Sequence, residues 1–520
     1  MSRRASYREG LSFGALSFFT VALLSVVSGI VVARIYGISV IGQFALAVAT
    51  VNAVRVLSSA KERPALIREL TVLEPRAPRV TGLFVAVFVF SVALTTVVGV
   101  IATVITYFAF RGPVGHPELF TPALVSMVGY LTVINAGENL NPVLTSFRAG
   151  RALYWIRLHE AVVLFGASVA LGFLWGTVWG LVGALIVSAT TSLIHRLVVA
   201  RRYMRFLVAP REIREGFRTL PAMIKFGLKI APGNLADGVS NESATWILGS
   251  VSSLAAVGAW NRSWMLTKQF FVLNQRITEM LFPTLVQRRS GADAQGFTRA
   301  FVDSMRYSAV SLLLPAAVGG GASAGILGLY GPGFAQGATA LAILLLVPAV
   351  YAISQIQRSL LYSVDRPVAT SMTALLRLAI TLGLGAALTA RLGPTGAAIA
   401  LVAGFGVALV YVARIAAPYL ASSMRLVWPA REMAALLVAY ATGFASSRAV
   451  LSALPDVVGL PAALGIGSIA YAAVFVALGG VNERDRERLR SVRGLVARRL
   501  ARRRGQRTVA PDAVRAPPER

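Results

Sequence analysis

The 520-residue sequence contains no cysteine. Disulfides, thiolate nucleophiles and cysteine metal sites are therefore excluded, and the redox compartment leaves no trace. Charge is scarce as well: Asp, Glu, Lys and Arg make up 14% of the chain, against about 25% in soluble domains. Acids are the scarcer sign, with 22 Asp plus Glu against 51 Lys plus Arg. Three histidines, His116, His159 and His195, lie far apart in sequence, and a lone histidine is more often packed or solvated than a metal ligand. No Gly-Lys pair occurs, so the phosphate-cradling loop of nucleotide hydrolases has no place here. H-E-x-x-H is missing too, and the loops expected to face outward are too short for the acidic catalytic platform of a membrane glycosyltransferase. An enzyme is not expected.

What is abundant is apolar. Hydrophobic residues are 56% of the chain and the mean hydropathy is +0.69. A helix needs about 20 apolar residues to cross a bilayer, and such runs recur from "GALSFFTVALLSVVSGIVVA" to "GLPAALGIGSIAYAAVFVALGG". The pattern predicts an all-α integral membrane protein of about 14 transmembrane helices. The opening "MSRRASYREG" is too short and polar for a cleaved signal, so the first span reads as a retained helix.

The net charge of +29 then reports topology rather than nucleic acid. After even-numbered spans come "SSAKERPALIRELTVLEPRAPR", "RAGR", "ARRYMRFLVAPREIREGFR" and "QRRSGADAQGFTR". After odd-numbered spans come "GISVI", "GTVW" and "YGPGFAQ". Short arginine-rich loops stay in the cytoplasm, so a multi-pass protein of the bacterial inner membrane with both termini cytoplasmic is expected. The tail beginning "VNERDRERLRSVRGLVARRLARRRGQR" reads as a solvated topology anchor or a basic helix on the inner leaflet.

An internal repeat sets the architecture. "SFRAGR" places Phe147 four residues before Arg151, and "LYSVDR" places Tyr362 four before Arg366, an offset of 215. G-x-x-G-A-x-I recurs at Gly180 and Gly393, an offset of 213. Six spans fit in that interval, and an even number keeps the orientation, so the repeats are parallel. The expected arrangement is two parallel six-helix lobes around a central cavity, plus two C-terminal helices, an architecture of secondary transporters. The boundaries read 1–9 for an N-terminal tail, 10–208 for the N-lobe, 209–226 for a basic linker and 227–417 for the C-lobe. The last two spans occupy 418–480, and the basic tail 481–520.

Charges at mid-membrane depth cost about 2.5–3.5 kcal/mol each on insertion scales, and those retained face a cavity or a partner. Asn52 and Arg55 share a helical face in the second span, and Gln355 and Arg358 repeat that spacing in the tenth. In the eighth, Arg262, Gln269 and Arg276 form one stripe with Lys268 beside it. Arg276 lies near the cytoplasmic end and reads as snorkelling or pairing with Glu279, whereas Arg55 and Arg262 read as lining the cavity. Cations on both lobes suit an anionic, phosphate-bearing substrate. Asn234, Asp237 and Asn241 share a face of the seventh span. They read either as a cation or proton coupling site or as a carboxylate balancing the cavity arginines. Glu138, in "TVINAGENLNPVLTSFRAGR", is the acid without a counterpart in the other repeat and is a further coupling candidate.

Between Glu9 and about Leu420, the order and spacing of "VVARIYGISVIGQFALAVA", "KIAPGNLADGVSNESATWILGSVSSLAAVGAW", "MLFPTLVQRRSG", "ILGLYGPGFAQGATALAILL" and "LGPTGAAIA" resemble one known group. It is the polysaccharide-transporter branch, the Wzx-like flippases, of the multidrug/oligosaccharidyl-lipid/polysaccharide (MOP) exporter superfamily. The resemblance implies two lobes alternating between inward- and outward-open states and flipping an undecaprenyl-linked oligosaccharide for export. It places Arg34, Arg55 and Arg262 at the carrier's pyrophosphate. Partners would be the polyprenyl-linked glycan, membrane lipids and polysaccharide assembly proteins, with no nucleic acid. No cofactor or metal is implied, and coupling to H+, Na+ or membrane potential stays open. Ser28 stands where lipid II flippases carry a further arginine, which argues against lipid II as cargo. The eleventh span has no carboxylate to share a sodium site with the seventh. Rival readings are a multidrug cation antiporter of the same superfamily and a non-transporting scaffold of envelope assembly. The mainly basic cavity disfavours the first.

Overall fold

The computed structural model describes residues 7–57, 62–207, 209–228, 231–271, 293–364, 366–420, 430–454 and 456–481, with positions 281, 285, 287, 288 and 485. Arg276, Glu279 and the basic tail beyond 485 lie outside the described residues, as does most of the approach to the last two spans. Among the described residues every regular element is helical. Nine helical segments there are long and apolar enough to cross a membrane, making this a multi-pass membrane protein.

Helix α1 (Tyr7–Leu57) is two helices joined at a kink at Gly37, where φ is 75° and ψ 168°. That conformation favours glycine over any residue with a Cβ. A short amphipathic helix, α2 (Glu62–Leu70), precedes α3 (Pro78–Arg111). The next span, α4 (Pro117–Ser146), is broken into short pieces, with a π-helical turn over Ser126–Leu131. Such turns rotate the residues that follow them and occur often at functional sites. Helices α5 (Gly150–Trp175) and α6 (Val178–Ala200) complete the first half.

Of the stretch 209–226, expected as a basic linker, residues 210–226 are helical, within α7 (Pro210–Leu228). Leu220 and Met223 bury one face of it, while its arginines keep the other in solvent. Hydropathy registers such a helix as charged loop, because the apolar residues form a stripe rather than a run. It packs backbone to backbone on α3: a Cβ on Gly216 would stand 2.1 Å from the Gly82 carbonyl oxygen.

The second half holds α8 (Ala231–Val251), α9 (Leu254–Gln269), α10 (Ala294–Gly321), the short α11 (Ser323–Gly328), α12 (Phe334–Ser363) and α13 (Pro367–Ala416). Like α1, α13 is two helices joined at a glycine, Gly393, with φ of 54°. The last pair, α14 (Ala430–Ala453) and α15 (Asp456–Ala477), pack on each other and dock on α10. An apolar cluster of Phe301, Met305, Ile356, Leu360, Leu436 and Tyr471 fills that junction.

The halves meet where α1 packs on α8 and α9. Trp260 and Trp264 of α9 sit in a buried cluster with Leu46, Leu248 and Phe405 that crosses this seam. At the end bearing the Gly37 kink, small residues let the backbones touch. A Cβ on Gly42 would lie 1.9 Å from the Leu254 carbonyl oxygen, and one on Gly258 2.2 Å from that of Ile38. Side chains cannot be added there without parting the halves. Gly258→Val should therefore open this end. With Ser28→Cys as the sole thiol, labelling by a membrane-impermeant maleimide added on that face should accelerate several-fold relative to Gly258. Equal rates would show that the seam does not seal this end.

Candidate functional site

Behind the closed end lies a cavity of about 520 Å³ between the halves. α1 contributes Ser25, Ser28, Asn52 and Arg55. α8 contributes Asn241 and Glu242, and α9 contributes Arg262 and Lys268. Tyr130 reaches it from the π-helical turn of α4. Leu164, Leu181, Leu185 and Met265 make the rest of the wall apolar.

Five of the residues singled out from sequence converge here: Asn52, Arg55, Asn241, Arg262 and Lys268. Charge is lopsided, with three cations and the single carboxylate Glu242 in the lining. Lys268 Nζ stands 3.7 Å from Glu242 Oε1 and 5.3 Å from the Trp264 ring centroid. Arg262 differs from the other two. Its Nε is buried, as is the Asn241 Oδ1, and neither has a hydrogen-bond partner among the described residues. Orphaned buried polar atoms are uncommon and point to a missing partner.

Arg55 is held from behind. Its Nη1 lies 3.5 Å from Glu138 Oε1, while the other Glu138 oxygen accepts a 2.6 Å bond from Arg63 Nη1. Arg63 also donates to Asn139 Oδ1 at 3.1 Å and to Asn135 Oδ1. Asn139 Nδ2 in turn donates to Ser91 Oγ at 3.1 Å. The polar stretch around Glu138 thus ties α4 to α2, α3 and the end of α1 rather than lining the cavity.

The remaining candidates lie elsewhere. Arg34 donates from Nε to the Leu329 carbonyl at 2.8 Å and lines a second cavity, of about 940 Å³, with Tyr440, Phe444 and Arg448. Arg358 and Asp237 form an ion cluster inside the second half. Asp237 Oδ2 is 3.0 Å from Arg358 Nη1, and its Oδ1 is 3.0 Å from Arg377 Nη2. Arg377, 1% exposed, also donates to the Asp237 backbone carbonyl and lies 4.3 Å over the Phe405 ring. Asp237 thus faces Arg358 and Arg377, neither of which lines the central cavity, rather than Arg55 or Arg262. Asn234, one turn before Asp237, is half-buried and does not line the cavity.

Glu242, Tyr130, Arg63 and Arg377 were not singled out from sequence. Arg377 was open to the intramembrane-charge rule, and Arg63 was absorbed in a charge run taken as topology. His159 and His195, far apart in sequence, meet edge to face with centroids 5.2 Å apart. No cluster of three metal-ligating residues occurs among the described residues.

Breaking a buried ion cluster by removing one charge costs about 3–5 kcal/mol. Asp237→Asn, which leaves two facing guanidiniums, should lower the melting temperature and abundance in this way. Adding Arg377→Met should restore most of the loss. An Asp237→Asn protein with wild-type thermal stability but lost function would make Asp237 a coupling group instead of a clamp.

A family model described as "Polysaccharide biosynthesis protein" matches residues 31–327. No curated protein matches. Among solved structures the chain is similar to the lipid II flippase MurJ in an inward closed conformation. The identity is 10% and the TM-score 0.63, over 91% of this chain and 99% of that one. It is also similar to a multidrug resistance MATE family transporter of the MOP superfamily in an inward-facing conformation. There the identity is 15% and the TM-score 0.61, over 78% and 98%. A third is MATE in complex with MaL6, at 15% identity and TM-score 0.51, over 80% and 98%. At these identities the likeness is one of fold, and the fold is that of the MOP-type transporters.

Proposed function

This chain belongs to the polysaccharide biosynthesis protein family, and on that premise we propose that it is a flippase for a lipid-linked oligosaccharide. The cargo would be an undecaprenyl-(pyro)phosphate-linked glycan, moved by alternating access across the bacterial inner membrane for assembly of a surface polysaccharide. Both termini would then be cytoplasmic, and the chain would move its cargo without chemically changing it.

One observation carries the reading: Arg55, Arg262 and Lys268 face one cavity whose lining holds the single carboxylate Glu242, with Glu138 behind Arg55, and the Arg262 Nε has no hydrogen-bond partner among the described residues. In a low-dielectric wall an uncompensated cation attracts an anion far more strongly than it would in water. The guanidinium fork matches phosphate oxygens two at a time. A volume of about 520 Å³ falls within the roughly 300–1,000 Å³ of pockets that enclose drug-sized ligands. It suits the phosphates and first sugars, with the polyprenyl tail left in the bilayer. Ser28 lines this wall, so no further arginine stands there of the kind the resemblance associates with lipid II. A cationic drug would meet a repelling surface, because Lys268 already faces Glu242.

Arg55→Ala with Arg262→Ala should reduce surface polysaccharide at least tenfold at normal protein abundance. Arg262→Lys, which keeps the charge and loses the fork, should retain an intermediate level. Undiminished export in the double variant, with the protein present in the membrane, would overturn the cationic-cavity reading.

A further inference from the structure

A third cavity, of about 630 Å³, opens where α4 ends, α5 begins and α6 ends. Its lining includes Arg148, Arg151, Arg202 and His195, with Phe147, Trp155 and Tyr203, and no carboxylate. It shares no lining residue with the central cavity. Arg148, Arg151 and Arg202 are exposed, and none has a carboxylate partner among the described residues. Unpaired like charges gathered in one concavity repel one another and favour an anion between them.

The corner is held rigidly. Arg148 has φ of 57°, a left-handed conformation uncommon for any residue with a Cβ and retained only where the surroundings enforce it. Its carbonyl accepts from Gly150 N at 2.8 Å, and Ala149 N donates to Leu144 O at 2.9 Å. Phe147 is buried and stacks on Tyr203, with centroids 5.8 Å and planes 5° apart.

The corresponding stretch of the other repeat lacks most of these cations. At the offset of 215, Arg151 meets Arg366, whereas Arg148 meets Ser363, His195 meets Val410 and Arg202 meets Ala417. Arg148, His195 and Arg202 are therefore particular to the first half of the repeat. Trp155 is 50% exposed beside them, and tryptophan at a helix end marks the membrane-water boundary. The arginine distribution assigns this end to the cytoplasmic face, and basic pockets between helices on that face are suited to lipid headgroups.

We propose that this corner is a binding site for a phosphate-bearing anion, supplied by the headgroup of an anionic phospholipid of the inner leaflet. The guanidiniums of Arg148, Arg151 and Arg202 take the phosphate oxygens, and Trp155 lies against the upper acyl chain.

Trp155 is also the reporter. The protein is reconstituted in phosphatidylcholine nanodiscs carrying increasing brominated phosphatidylglycerol, and tryptophan quenching is measured against a Trp155→Phe control. The difference between the wild-type and Trp155→Phe curves isolates Trp155 from the other tryptophans; that difference is expected to saturate, with a midpoint raised at least about tenfold in Arg148→Gly/Arg151→Gln/Arg202→Gln. Glycine at 148 accepts the left-handed backbone, so that variant removes charge without new strain. The pair Arg151→Gln/Arg202→Gln serves if the triple variant fails to fold, and should shift the midpoint in the same direction. An unchanged midpoint, or equal quenching by brominated phosphatidylcholine, overturns the site. Displacement of the lipid by millimolar inorganic phosphate would assign the corner to a soluble phosphate compound and overturn the lipid source.

Discussion

A charge within the hydrocarbon layer must be met by a counter-charge or by water. Each such group otherwise costs about 2.5–3.5 kcal/mol on insertion scales. Four clusters pair charges with protein groups, and three of them join helices that are not neighbours in sequence. Glu138 gathers Arg55 and Arg63, and Glu160 holds Arg196 at 2.8 Å with Ser192 bonded to both. Asp237 gathers Arg358 and Arg377. Arg306 lies 2.8 Å from Glu432 and 2.9 Å from Asp485, fastening the last two helices to α10. The first two clusters close within the first half. The third closes within the second, and the fourth ties the appended helices to that same half.

The seam is built from other forces. It is joined by backbone contacts at Gly42 and Gly258, by the apolar cluster around Trp260 and Trp264, and by the bond from Arg34 to the Leu329 carbonyl. Breaking an ion cluster inside a half would expose an unpaired charge to lipid, whereas parting the seam separates apolar surface and small-residue contacts. The proposed alternating access requires the halves to move as bodies, and this difference is what such movement would use.

Sequence reading reached the helical class and the multi-pass membrane character, because each leaves a local mark. Hydropathy marks a span, and the repeated "G-x-x-G-A-x-I" marks a return at Gly393. It did not reach α7, whose apolar residues form a stripe. At the site, Asn52, Arg55, Asn241, Arg262 and Lys268 were legible because charge and amide inside an apolar span are conspicuous. What was illegible was pairing. Nothing near Asp237 in sequence shows that Arg358 and Arg377 stand 3.0 Å away, so a carboxylate clamped by two cations reads like one free to bind an ion. Tyr130 reaches the cavity from a π-helical turn, a local change of register that residue spacing at the α-helical period cannot show.

These pairings also bear on how a bound anion could leave. A carrier that held phosphate with three bare cations would bind too tightly to release it. Here two of the three have a carboxylate within reach. Glu138 lies 3.5 Å from Arg55 but 2.6 Å from Arg63, so an incoming phosphate can take Arg55 while Arg63 keeps Glu138 neutralised. When the phosphate departs, Glu138 regains Arg55 without crossing the cavity. Glu242 lies 3.7 Å from Lys268 but has no second cation at ion-pair distance among the described residues. Arg262, with its orphaned Nε, lacks such a reserve partner among the described residues. Under the proposed function the gain on binding would be concentrated at Arg262, and the exchange at Arg55 would keep that gain reversible.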